Sequence, residues 1–338
     1  MICITGATGM VGAHLMVQLS NKGETIRALK RTSSDLQYVR KIFTLYAHQP
    51  EEQWNAIEWV ISDLNDVGSL EDALDQVKQV YHCAAVVSFN TSERQKIMQT
   101  NVEGTANLVN ILLQKDGVSL CHVSSIAALG YDEKHSFTDE QTEWKKRRHQ
   151  SVYALSKHAA EREIWRGIAE GLNAVIVNPS VILGPGNWQS GSSELFALVW
   201  RGMPFYTEGI TGYVDVRDVV KAMIMLMEKK LYGQRYIVSS ENLSYRQLFT
   251  WIAEGLKKKP PHIHVHPWIG ELAWRWYWLI AKVQGKKPAI TKETARSSQT
   301  IRYFTAEKIS SQTAFQFIPM QTSIDDICRQ FLADHDQK

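Results

Sequence analysis

The chain has 338 residues, 44% of them apolar and 22% charged, with a formal net charge of +3. That length can bury a large core and leaves room for a second, smaller lobe, and the composition is that of an ordinary globular protein. So small a net charge gives no reason to invoke nucleic acid; the basic clusters Lys145–Arg148 and Lys257–Lys259 read as solvated faces or loops.

The first predicted element is a short apolar strand over 1–5. It runs straight into Gly6-Ala7-Thr8-Gly9-Met10-Val11-Gly12. Gly6 permits a tight turn, Gly9 lets backbone approach a ligand, and Gly12 lets a helix pack close to the strand. Val11, Leu15 and Leu19 space that helix over 9–21, ending near Gly23. Strand, glycine turn and helix together aim backbone N–H groups and a positive helix end at a pyrophosphate.

Further strands are predicted near 25–30, 57–61, 79–83, 119–123, 174–178 and 235–239, with helices near 69–77, 93–114, 151–170 and 217–229. This alternation predicts an α/β fold, a doubly wound parallel sheet with ligands at the carboxyl ends of its strands. The segments 184–212 and 240–338 break the alternation and carry helices near 244–258, 268–283 and 323–334. The predicted domains are therefore 1–183 plus 213–239 for the nucleotide-binding sheet and 184–212 plus 240–338 for a discontinuous, mainly helical substrate lobe.

The second strand ends Ala28-Leu29-Lys30-Arg31 without the carboxylate that would hold a ribose diol. Arg31 can bind a phosphate in a bidentate way and Lys30 can add a point charge, so NADP is expected in preference to NAD. In the helix near 151–170, Tyr153 and Lys157 are four apart and share a face. A lysine ammonium beside a phenol favours the phenolate, so Tyr153 is expected to exchange a proton near neutral pH.

Cys3, Cys83 and Cys121 fall in predicted buried strands, and with Cys328 they show no disulfide or metal spacing. That argues for a reducing, cytoplasmic setting. No signal peptide is expected, since the first strand starts at once. His262, His264 and His266 alternate along one face, but prolines bracket them and no carboxylate is near, so no metal is expected. The segment 267–283 carries four tryptophans, and Glu271 and Arg275 interrupt it too soon for it to span a bilayer. Of a core or lid helix, a dimer surface and an interfacial membrane helix, the core or lid reading is preferred.

The glycine loop, the set Ser125, Tyr153 and Lys157, and the order of what lies between them resemble an extended short-chain dehydrogenase/reductase of the NAD-dependent epimerase/dehydratase superfamily. The nearest branch is that of dihydroflavonol reductases and 3β-hydroxysteroid dehydrogenases. Asp63-Leu64, His82-Cys83-Ala84-Ala85, Asn101-Val102-Glu103-Gly104-Thr105, Asn178-Pro179-Ser180-Val181-Ile182 and Tyr213-Val214-Asp215 resemble further family motifs in the same order. The resemblance implies Asp63, Leu64, Ala84, Ala85, Val86, Pro179, Ser180 and Ile182 on the cofactor side. It implies Tyr153 as proton donor, Lys157 as holder of the nicotinamide ribose and Ser125, with Ser124 as rival, on the substrate oxygen. Asn101 supports the site or is purely structural. It also implies a homodimer through the helices near 93–114 and 151–170.

Ser125 is followed by Ile126-Ala127-Ala128, without the acids of a sugar-nucleotide dehydratase, and Thr211 or Gly212 stands where an epimerase carries arginine. The predicted pocket wall of Val87, Ser88, Phe89, Trp188, Phe205 and Tyr206 suits a hydrophobic substrate. The expected activity is NADP-dependent interconversion of a ketone or aldehyde with an alcohol. A nucleotide-sugar epimerase and a non-catalytic dinucleotide sensor are the alternatives.

Overall fold

The computed structural model describes residues 1–88, 90–130, 137–145, 150–284 and 291–336. In chain order the strands are β1 (Ile2–Thr5), β2 (Ile26–Lys30), β3 (Glu58–Ile61), β4 (Gln79–His82), β5 (Ser119–Val123), β6 (Asn173–Pro179), β7 (Val181–Leu183), β8 (Phe205–Tyr206), β9 (Ile210–Asp215), β10 (Gln234–Val238), β11 (Glu241–Ser244) and β12 (Ile263–His264). Seven of them form one parallel sheet in the order β3-β2-β1-β4-β5-β6-β10. The strand order reverses between β1 and β4, and Thr5 pairs with His82 at that crevice.

Every residue of β1 and β5 is buried, because helices cover both faces of a parallel sheet. Alternate side chains serve two cores. Ile2, Ile4, Ala28, Tyr81 and Val177 pack with helix Val216–Glu228, while Cys3, Val80, Leu120 and Ile176 pack with Leu108 and Ile164. A third core, built from Leu183, Phe196, Tyr213, Leu248, Ile252, Ile324 and Phe331, belongs to the second lobe. There β7, β9 and β11 make a small mixed sheet and β8 pairs with β12.

Three features differ from expectation. The stretch around Ile309 and Phe315 packs in the first core, and Phe304 packs on Leu129 and Ile237, so this part of the chain returns to the large sheet instead of staying in the lobe. The helix expected over 93–114 is Arg94–Met98, a wide π-helical turn over Gln99–Glu103, then Gly104–Leu113. A Cβ on Gly104 would stand 2.7 Å from Leu64 Cβ, so glycine is what lets this helix approach. The helix Pro267–Gln284 exposes Trp268, Leu272 and Trp276, four apart on one face, so these three are not lobe core. Among the described residues no helix is long and apolar enough to cross a membrane.

Candidate active site

The glycine loop is a close-packed cradle. Gly6 has φ +67°, and a Cβ there would meet the Ala84 nitrogen at 2.5 Å; one on Gly12 would meet the Gly6 oxygen at 2.3 Å. Gly9 is the N-cap of helix Met10–Asn21, which has no side-chain cap and no acid in its first turn. An uncapped helix N-terminus behind a glycine-bracketed turn fits a dinucleotide pyrophosphate. Ala7 is buried, Thr8, Met10 and Val11 are half-buried, and Gly9 is exposed.

Buried hydrogen bonds tie this loop to the segment Ala84–Val86 after β4. Thr5 Oγ1 accepts from the Ala84 N–H at 3.3 Å and lies 2.7 Å from His82 Nδ1; His82 Nε2 lies 3.0 Å from Thr105 Oγ1, which donates to the Asn101 carbonyl at 2.6 Å. With Thr105 donating there, the His82 proton belongs on Nε2. Burial holds His82 neutral, with its pKa lowered to about 3. The Asn101 side chain accepts from the Val86 N–H at 2.7 Å and donates to the Val86 carbonyl at 3.0 Å and to Ser156 Oγ at 2.9 Å. These contacts tie the buried Asn101 amide to the Val86 backbone and to Ser156.

The helix Val152–Ala169, capped by Ser151, carries Tyr153 and Lys157 on one face. Ser125, whose Oγ accepts from the Ala127 N–H at 3.1 Å, is the polar neighbour that acts on the Tyr153 hydroxyl. Lys157 Nζ donates to the Val123 carbonyl at the end of β5 over 2.7 Å. Burial lowers the Lys157 pKa to about 8, against the opposing pull of Glu161. Burial also raises the Tyr153 pKa, and Ser125 opposes the rise. The expected lowering of the phenol is therefore corrected: desolvation disfavours the phenolate here.

Ser124, the rival of Ser125, points elsewhere. Its hydroxyl donates to Glu161 Oε2 at 2.8 Å in a buried cluster with Asn178 and Arg235. Sequence reasoning passed over Glu161, although it continues the series 153, 157, 161 down a largely buried helix face.

Lys30 lies 5.8 Å over the Trp59 ring, and exposed Arg31 leaves the strand with its backbone N–H on Ser34 Oγ at 3.0 Å. Asp63 is exposed and accepts from the Asn65 backbone N–H at 2.9 Å, while Leu64 is buried and its carbonyl accepts from Asn107. Pro179 and Ser180 are buried at the end of β6, and Ile182 is half-buried in β7.

The predicted substrate wall is dispersed. Ser88 donates to Glu93, and Phe89 lies outside the described residues. Trp188 packs on Phe331 with centroids 5.0 Å apart and donates to Asp334 at 2.6 Å, contacts of the lobe core. Phe205 is exposed in β8 opposite Ile263.

A doubly wound sheet with a glycine cradle at its switch point and a Ser125/Tyr153/Lys157 set, the first two half-buried and the lysine buried, defines a dinucleotide-dependent enzyme class. Residues 2–239 match the profile of the NAD dependent epimerase/dehydratase family, and the chain belongs to that family, whose members are NAD(P)-dependent oxidoreductases or related enzymes. It is 29% identical to sterol demethylase protein B of Methylococcus capsulatus over 78% of this chain and 77% of that protein. It is 24% identical to a dihydroflavonol 4-reductase of Gerbera hybrida over 78% of this chain and 74% of that protein. The crystal structure of gox2253 superposes with a TM-score of 0.81 at 29% identity, covering 98% of both chains.

Proposed function

We propose that this protein is an NADP(H)-dependent oxidoreductase that interconverts a ketone or aldehyde with an alcohol on a small hydrophobic substrate. The observation that carries the reading is Ser125 acting on the Tyr153 hydroxyl, with Lys157 one turn further along the same helix face. Sterol and flavonol chemistry in the names of two relatives supports a hydrophobic substrate.

Gly6, Gly9 and Gly12 would hold the pyrophosphate, Lys30 and Arg31 would receive the 2′-phosphate, and Ala84, Ala85 and Val86 would line the crevice. When bound, the dinucleotide supplies the hydride in reduction and receives it in oxidation. Tyr153 gives its hydroxyl proton to the carbonyl oxygen in reduction and takes the alcohol proton in oxidation. Ser125 donates to the same oxygen and holds its developing charge. Lys157 places positive charge beside the Tyr153 oxygen as the phenolate forms.

Titration with NADPH and NADH, followed by absorbance against a panel of aromatic and steroid-like ketones and aldehydes, tests this. Tighter NADPH binding with turnover lost in Tyr153→Phe and cofactor affinity retained is the expected result. Tight NAD(H) binding with no net oxidation on any carbonyl rejects it and points to an epimerase that recycles its cofactor or to a sensor.

A further inference from the structure

Glu161 lies two turns along from Tyr153 and one from Lys157, at i, i+4 and i+8 of one helix. It is 2% exposed, a rare place for a carboxylate, and all of its partners are donors. Oε2 accepts from Ser124 Oγ at 2.8 Å and Asn178 Nδ2 at 2.9 Å; Oε1 accepts from Arg235 Nη1 at 2.9 Å and Trp165 Nε1 at 3.3 Å. The Asn178 amide also donates to the Ser125 carbonyl at 3.1 Å. Arg235 is itself fixed, since its guanidinium donates to the Glu140 carbonyl.

We propose that Glu161 is a positioning residue for the reaction: anchored to β10 by Arg235, its carboxylate fixes Ser124 and, through Asn178, the backbone of Ser125, and supplies negative charge toward the Lys157 ammonium. This inference rests on the reductase reading of the same site. A buried ion pair is weak evidence for stability, because desolvation offsets its Coulomb gain. The Glu161–Arg235 pair, joined to both serines and placed one turn from Lys157, is better explained by what it holds in place.

The groups facing Lys157 define the sign of the test. Glu161 on its own helix favours its charged form, while burial keeps Cys83 after β4 a neutral thiol. His82 on β4 and His122 on β5 both lie within its field and are held neutral by burial. Tyr153 stands one turn back. Neutralising Glu161 therefore makes Lys157 lose its proton at lower pH.

The experiment compares full-length wild type, Glu161→Gln and Arg235→Gln. It reads kcat/KM against pH, equilibrium NADPH affinity against pH, and the urea midpoint at pH 7. In Glu161→Gln the alkaline limb of both pH profiles is expected to move down by about one unit. In Arg235→Gln, which keeps the carboxylate but frees it from β10, kcat falls while the limb stays in place. A Glu161→Gln profile that overlays wild type to within about 0.3 unit overturns the proposal. Should Glu161→Gln fail to fold, the Arg235→Gln result decides: kcat equal to wild type overturns it. If no carbonyl is turned over but the NADPH affinity profile still moves, the charge role of Glu161 stands and the reductase reading fails. If turnover is found and neither profile moves, the reductase reading stands and this inference fails.

Discussion

The Cβ position on Gly12 lies 2.3 Å from the carbonyl oxygen of Gly6 and 2.7 Å from Ala7 Cα, so the first helix is packed against the turn it grows from. The Cβ position on Gly9 meets only the Gly6 oxygen, at 3.4 Å, and its φ of −85° suits any residue. The two glycines should therefore separate by measurement. Gly12→Ala must shift backbone and should cost about 2 kcal/mol or more. Gly9→Ala should leave the thermal midpoint close to wild type yet weaken NADPH about tenfold or more, because it fills the space a pyrophosphate approaches. Wild-type affinity in Gly9→Ala would remove the loop from the binding site.

Adjacent serines should behave differently. Ser125 is the serine that acts on the Tyr153 hydroxyl, while Ser124 is committed to buried Glu161. Ser125→Ala is expected to lower kcat by about 10²-fold or more with little change in stability. Ser124→Ala leaves a carboxylate oxygen short of one donor and should cost about 1–3 kcal/mol of stability, with a smaller loss of kcat. Unfolding and steady-state kinetics on both variants check this; a larger kcat loss in Ser124→Ala would reverse the assignment.

Arg31 is exposed at the end of β2 with its backbone tied to Ser34. Arg31→Ala should weaken NADPH by about tenfold or more, as expected for a lost charge-assisted contact, and leave NADH nearly unchanged. Equal losses for both dinucleotides would mean that Arg31 does not read the 2′-phosphate.

Three buried histidines set an acid limit. Burial lowers the pKa of His82 to about 3 and of His14 to about 4, and pushes His122 well below its usual range. A histidine with a folded pKa below its unfolded value near 6.5 binds fewer protons when folded. Its contribution is complete above that pH and is lost progressively as pH falls toward the folded value. At pH 5 this amounts to about 2 kcal/mol for each such group. Urea midpoints should fall between pH 6.5 and 4, and less steeply in His122→Phe, since neither ring nitrogen of His122 has a hydrogen-bond partner to lose. An unchanged slope in that variant would exclude His122 as a source of the acid sensitivity.

Much of this molecule is local. All seven strands of the large sheet stand where apolar, β-branched runs predict them, because strands covered on both faces carry mainly apolar side chains at their centres. The glycine cradle and the Tyr153/Lys157 spacing are equally local, being set by one turn and one helical period. The short helices Gln37–Tyr46 and Glu194–Trp200 and the small sheet β7, β9 and β11 escaped prediction, since these elements are short and their apolar residues become a face only against distant partners.

The length, composition and local periodicity of the chain determine a doubly wound nucleotide-binding sheet and the positions of Gly6, Gly9, Gly12, Tyr153 and Lys157 in it. Tertiary structure alone decides which serine faces Tyr153, how Asn101 reaches Val86, and that Glu161 and Arg235, 74 positions apart, meet as a buried pair. It also decides the rise in the Tyr153 pKa, which spacing to Lys157 argued in the opposite direction. The reason is that hydrogen-bond partners and burial depend on which elements pack together, whereas strand and helix periods depend on neighbours along the chain.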